Sequence, residues 1–159
     1  MGVARGEIVF QNQGACMQCH LISGSGGIQG PDLTTVADRL TTDKILESLI
    51  HPNAVIAEGY GMATATLKNG TALVGRLIKE TPDQVTLLAP DGKETQLNRS
   101  DIASLTPPIS AMPPMALNLP LQDLRDLMAY LATNTQKNAI KKNKDTNSHG
   151  DKDQEKIAK

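Results

Sequence analysis

The segment Cys16-Met17-Gln18-Cys19-His20 constrains this chain more than any other feature. Both cysteines of the chain fall in it, so a disulfide-rich scaffold is excluded. On a helical turn, positions i, i+3 and i+4 share a face. This spacing therefore presents two thiols and an imidazole to one side. That is the attachment signature of a c-type haem, in which the thiols bond two vinyl groups and the imidazole points at iron. Two other chemistries compete. Zinc requires four N/S ligands, and only His51, beside a proline, and His149, near the C-terminus, remain. A thioredoxin-like dithiol requires a βαβ context, which the pattern lacks.

The rest of the composition agrees. A chain of 159 residues has room for one domain and a small extra lobe. With Lys+Arg 16 against Asp+Glu 17, charge gives no argument for a nucleic-acid partner. No apolar run approaches the ~20 residues of a membrane span. Phe10, Tyr60 and Tyr130 are the only aromatic residues. A core normally draws heavily on such side chains, so another group is expected to fill the middle.

Periodicity divides the chain. Val3, Ile8, Val9 and Phe10 suggest a short helix running into the cysteines. Ser23-Gly24-Ser25-Gly26-Gly27 reads as a loop. Residues 34–50 read as helix in two pieces, with Ile45, Leu46, Leu49 and Ile50 on one face and Pro52 as the stop. From Tyr60 the period becomes that of strands, over 60–67, 72–79, 84–89 and 94–97. Lys68-Asn69-Gly70 and Pro90-Asp91-Gly92 supply hairpin turns. Residues 58–106 thus read as an inserted antiparallel meander. A proline-rich loop follows over 107–120, then a helix over 121–133 with Leu121, Leu124, Leu127, Met128 and Leu131 as its apolar stripe. Residues 134–159 hold seven Lys, four acids and few apolar groups, and read as a disordered, Lys-rich tail. Without it, nine basic residues face thirteen acidic ones. The helical parts alone form a marginal core that needs a staple.

A sixth iron ligand decides what such a haem does. His/Met ligation suits electron transfer, and an open position suits O₂ or peroxide chemistry. Met112 and Met115 sit in Ser110-Ala111-Met112-Pro113-Pro114-Met115, where prolines restrict the backbone to extended conformations. Met128 lies on the helical stripe and Met62 in a strand.

The chain resembles a class I cytochrome c. Gly6-x-x-x-Phe10, the Cys16–His20 motif, Gly30-Pro31-Asp32-Leu33, Met112-Pro113 and Leu127-x-x-Tyr130-Leu131 match that family's landmarks in order. The resemblance implies that Gly6 and Phe10 pack across the last helix near Leu127 and Tyr130. It also implies that the Pro31 carbonyl accepts a hydrogen bond from the His20 ring. More specifically, the chain is similar to the haem-binding domain typical of planctomycete and verrucomicrobial proteins, which carries a β-rich insertion. Leu46-Glu47-Ser48-Leu49-Ile50-x-Pro52-x-Ala54-x-Ile56, Gly59-Tyr60, Lys68-Asn69-Gly70-x-x-x-x-Gly75, Asp91-Gly92, Asp101-Ile102 and Ser110-x-Met112-Pro113 carry that similarity, over about residues 4–133. That family usually has Gly where Met115 stands, so Met115 is a second candidate ligand. Such domains often adjoin dehydrogenase-like parts.

The expected fold is a mainly α cytochrome c fold over residues 1–133 around one covalent haem c, with a small antiparallel β insertion, 58–106, which makes the chain α+β overall. The expected function is single-electron transfer between periplasmic redox partners, such as a dehydrogenase or a fused dehydrogenase-like domain. Cys16 and Cys19 hold the haem, His20 and Met112 ligate iron, Pro31 orients His20, and Arg39 pairs a propionate. For Arg39 the alternative is a solvated helix face, and His51 reads as a helix-end surface residue. The competing function is a haem enzyme or gas sensor with an open or labile sixth position. The meander reads as cover over the haem edge rather than a docking face. No secretory leader is visible at Met1-Gly2-Val3, which suggests a mature or engineered N-terminus.

Overall fold

Glycine sets the first helix pairing. Helix α1 (Gly2–Gln11) buries Gly6, Val9 and Phe10, positions i, i+3 and i+4 of one face. Opposite lies α4 (Leu121–Leu131), which buries Asp123, Asp126, Leu127, Tyr130 and Leu131. A Cβ on Gly6 would sit only 1.9 Å from the Asp126 carbonyl oxygen, so the two backbones meet where the side chain is missing. Phe10 and Tyr130 then pack with ring centroids 5.8 Å apart. Of the landmark residues, Gly6 and Phe10 meet Tyr130 across the two helices, and Leu127 is buried on α4. The stripes differ from those expected, however. Val3, Ile8 and Leu121 are 43%, 54% and 83% exposed, because the close approach turns the glycine face of α1, not its Val3/Ile8 face, toward α4. Two acids on that face of α4 are matched by Arg5, whose Nη2 donates to Asp123 at 2.7 Å and whose Nε lies 3.4 Å from Asp126. The Gln122 amide, then Arg125 and Arg5, hold the Asp126 carboxyl below its ordinary range. That contribution is present at neutral pH and fades as pH falls through the depressed value.

This is a computed structural model, and it describes residues 2–141. The chain divides into two units. The first holds residues up to Ile28, Asp32–Leu46 and those from Leu119 onward; the second holds Gln29–Pro31 and Glu47–Asn118. The first unit also contains a two-stranded hairpin, β1 (Leu21–Ile22) and β2 (Ser25–Gly26), in the segment expected to be loop. Ser23 and Gly24 both have positive φ, at 51° and 81°, as the two-residue turn of a tight hairpin requires. Helix α2 (Val36–Arg39) buries Val36. The helix α3 (Thr42–Ile50) buries Ile45 and Leu49, and it ends two residues before Pro52. The tail boundary expected at Asn134 also moves. Asn134 is buried, its carbonyl accepts from the Ala37 N–H at 2.9 Å, and residues 136–141 are helical. The Gln136 N–H donates to the Asp38 carboxylate. Composition is blind to such backbone bonds. The rest of the expected tail, 142–159, lies outside the described residues.

The second unit is built on β3 (Gly61–Leu67), β4 (Ala72–Glu80), β5 (Gln84–Leu88), β6 (Glu94–Asn98), β7 (Ile102–Leu105) and β8 (Ile109–Ser110). Strands β3 to β6 follow the expected meander closely. Strands β7 and β8 were not expected, and both pair with β3. The order is β6-β5-β4-β3-β7. In a flat sheet β6 and β7 would lie about 19 Å apart, four strand spacings. Their link is the 3₁₀ turn Arg99–Asp101, which spans only about 6 Å. The sheet must therefore curl until its edges approach. The narrow interior explains the small inward residues Ala63 and Ala65 of β3, packed with Val85, Leu87 and Leu97. Because β8 reaches beyond the 58–106 insertion, the sheet takes in the start of the proline-rich loop. Strand is nearly as abundant as α-helix among the described residues, which agrees with an α+β chain overall and does not show a mainly α one. No described helix is long and apolar enough to cross a membrane.

Candidate haem attachment site

The motif follows α1 through a turn. The Gly14 N–H donates to the Val9 carbonyl at 2.7 Å, and Ala15 takes φ 49° before a 3₁₀ turn, Cys16–Gln18. The Cys16 carbonyl then accepts from the N–H groups of both Cys19, at 3.1 Å, and His20, at 2.9 Å. One acceptor thus fixes the two later members of the motif relative to the first, the compact i, i+3, i+4 arrangement expected from the spacing. Cys16 is half-buried and Cys19 exposed, and the two are not bonded to each other. Burial pushes the Cys16 thiol up to about 11, which keeps it protonated at neutral pH and slow to form a disulfide.

Glycines brace this turn from outside. The Gly27 N–H donates to the Met17 carbonyl at 2.8 Å. A Cβ on Gly27 would sit 2.1 Å from the Gln18 carbonyl oxygen, and one on Gly26 2.2 Å from that of His20. Nothing in the Ser-Gly repeat of this stretch announces that role. A methyl at either position must push the motif's backbone aside. Gly27→Ala should destabilise the protein by about 2–3 kcal/mol and lower the ratio of haem to polypeptide in purified material. Gly24→Asn is the control, since a Cβ there meets nothing within 4 Å and Asn tolerates positive φ. Equal behaviour of the two variants would contradict the bracing role.

The following segment is laced to the hairpin. The Leu33 N–H donates to the Leu21 carbonyl at 2.8 Å, and the Ser23 N–H to the Thr34 hydroxyl at 2.8 Å. Asp32 closes an Asx turn by accepting from the Thr34 N–H at 2.7 Å. Arg39 is exposed and donates to the Asp32 carbonyl, which ties α2 to this loop. Ile28, next to Gly27, is 73% exposed. A flat apolar group held by the motif would have such a side chain to cover.

Pro31 and Met112 belong to the second unit. Two residues before Pro31, the Gln29 carbonyl accepts from Arg76 Nη1 at 3.1 Å. Met112 is half-buried, and its N–H donates to the Ser110 hydroxyl at 3.1 Å. Ser110 is itself held in β8, and its N–H donates to Asn53 Oδ1 at 2.8 Å. Met115 opens a 3₁₀ turn, Met115–Asn118. His51 closes α3 and is exposed. Sequence reasoning missed Arg76 and Asn53. Each acts on residues more than 45 positions away, and no local pattern marks such a contact.

The donor set suits haem and not a bare ion. Among the described residues no three His, Cys, Asp or Glu side chains converge to hold a metal. Two thiols and an imidazole on one turn, with an apolar neighbour, fit a macrocycle that brings its own four nitrogens. A family profile described as cytochrome c matches residues 3–90, from the start of α1 to the turn after β5. A search of curated proteins returns no match. Proteins of the matched family are haem-based electron-transfer proteins, with haem c bound covalently through such cysteines. The profile takes in α1, the braced turn and both thiols over more than half of the chain, and the protein is accordingly a member of the cytochrome c family.

Proposed function

We propose that this protein is a monohaem cytochrome that carries single electrons between periplasmic redox partners, and that it is of the planctomycete and verrucomicrobial type with a β insertion. The observation that carries this reading is the turn in which the Cys16 carbonyl holds Cys19 and His20 together. When bound, the haem iron supplies one-electron oxidation and reduction. Cys16 and Cys19 would hold the macrocycle and His20 would supply a nitrogen to its iron. Pro31 offers its carbonyl to the other ring nitrogen of His20, which fixes the imidazole and raises its basicity. Arg39 pairs a propionate. Met112 supplies the sixth ligand from a stiff loop, so little conformational entropy is lost on binding iron. The periplasmic placement follows from the chemistry of attachment, which in bacteria takes place outside the cytoplasm. A dehydrogenase, separate or fused, is the proposed partner.

The test is carbon monoxide binding to the dithionite-reduced protein, followed by stopped flow beside a reduced-minus-oxidised spectrum. A filled sixth position predicts a reversible haem c spectrum and slow, incomplete carbon monoxide binding. Rapid, stoichiometric binding would instead indicate a haem enzyme or gas sensor.

A further inference from the structure

Two segments on which this function depends lie outside the strands yet within the sheet's own unit. They are Gln29–Pro31 and the loop that carries Met112. The sheet grips each by a separate device. On β4, the Arg76 guanidinium lies over the Tyr60 ring, 4.5 Å from its centroid, and donates to the Gln29 carbonyl at 3.1 Å. Stacking on the ring fixes the plane of the fork, and so the direction of its N–H groups. The Gln29 side chain reaches the Pro90 carbonyl, in the turn between β5 and β6, at 3.4 Å. Between the Gln29 and Pro31 carbonyls stand one glycine and one proline, and the proline ring locks its own φ. Holding Gln29 therefore restricts where the Pro31 carbonyl can point.

The second device acts on Met112. Ser110 pairs with Gly61 of β3. Its N–H donates to Asn53 Oδ1 at 2.8 Å and its hydroxyl accepts from the Met112 N–H at 3.1 Å. Asn53 thus fixes Ser110, and Ser110 fixes the backbone of Met112.

We propose that the sheet, together with Asn53 just ahead of the insertion, positions the two segments of its own unit that would serve the haem iron, with Arg76 as positioning residue for the Pro31 segment and Asn53 for Met112. This rests on the reading above, in which Pro31 orients His20 and Met112 is the sixth ligand. The two devices act on the potential with opposite signs. A well-aimed carbonyl makes the imidazole more basic and favours ferric iron. Loosening it raises the potential. A well-held thioether favours ferrous iron. Loosening it lowers the potential.

The experiment is a spectroelectrochemical titration of full-length haem-loaded protein carrying Arg76→Lys, Asn53→Ala or Asn53→Asp. Lysine keeps the charge and loses the planar stack, so Arg76→Lys should shift the midpoint upward while keeping the sulfur-to-ferric-iron absorption band. Asn53→Ala should shift it downward and raise the fraction of ferric protein lacking that band about fivefold, the ratio set by one ordinary hydrogen bond. Asn53→Asp retains an acceptor for the Ser110 N–H and should restore the band. Unchanged potentials, or shifts of one sign in Arg76→Lys and Asn53→Ala with matching losses of melting temperature, would overturn the proposal and leave the sheet as cover. If the band responds to Met112→Ala but not to Asn53→Ala, the frame fails while Met112 stands as ligand. A wild-type protein without the band would remove the underlying reading as well.

Discussion

Met112→Ala should lower the midpoint potential, abolish the sulfur-to-ferric-iron band and open the ferrous haem to carbon monoxide. A neutral thioether beside an imidazole raises the potential, so its loss moves the couple toward ferric iron. Access changes even more. A ligand that must wait for methionine to leave sees its affinity scaled by the open fraction. For a minor open state of about one per cent, removing the methionine raises apparent carbon monoxide affinity about a hundredfold. Met115→Ala should do none of this. Met115 starts its own 3₁₀ turn, whereas the Met112 backbone is tied to Ser110 and through it to β3. Exchange of the two phenotypes would make Met115 the ligand. Silence of both would end the case for thioether ligation.

Replacing residues 58–106 with a tight turn should leave haem covalently attached but remove stable sixth ligation. Two braces of the attachment turn and its hairpin, Gly27 on Met17 and Leu33 on Leu21, lie wholly within the first unit. Attachment should therefore survive. The deletion takes away β3, the strand with which β8 pairs through Gly61–Ser110 and Met62–Ile109. Without that ladder Ser110 no longer fixes the Met112 loop. A pyridine haemochrome assay should find haem at the wild-type ratio, with the sulfur band absent and carbon monoxide binding fast. No recoverable haem protein would place the insertion in the core of the fold. A retained band would show that the loop supports itself.

What could be read in the chain beforehand follows the range of the forces involved. Cys16, Cys19 and His20 are legible because their chemistry demands a fixed local spacing, and the turn through the Cys16 carbonyl keeps it. Strands β3 to β6 are legible because Asn69-Gly70 and Asp91-Gly92 mark hairpins whose partners adjoin in sequence. Strands β7 and β8 are not, since β7 finds β3 35–40 residues back, β8 finds it 47–49 residues back, and neither carries a turn signal for it. The apolar patterns on α1 and α4 misled in part. Hydrophobic periodicity points to Val3, Ile8 and Leu121, but a glycine at position 6 lets backbone meet backbone and puts those side chains outside. Asp123 and Asp126 on the buried face were unreadable without Arg5, which meets them from the other end of the chain. Arg76 and Asn53 escaped for the same reason. Their use lies in carbonyl and amide groups that only the folded sheet brings within reach.

All of these expectations require that Cys16 and Cys19 bind haem covalently. Intact mass spectrometry after acid–acetone extraction of the protein, expressed with a periplasmic haem-attachment system, tests it most directly. A single species of polypeptide plus one haem is expected, still coloured after extraction, and Cys19→Ala should yield poorly matured protein with at most one thioether. A colourless protein at the mass of the bare polypeptide would contradict it.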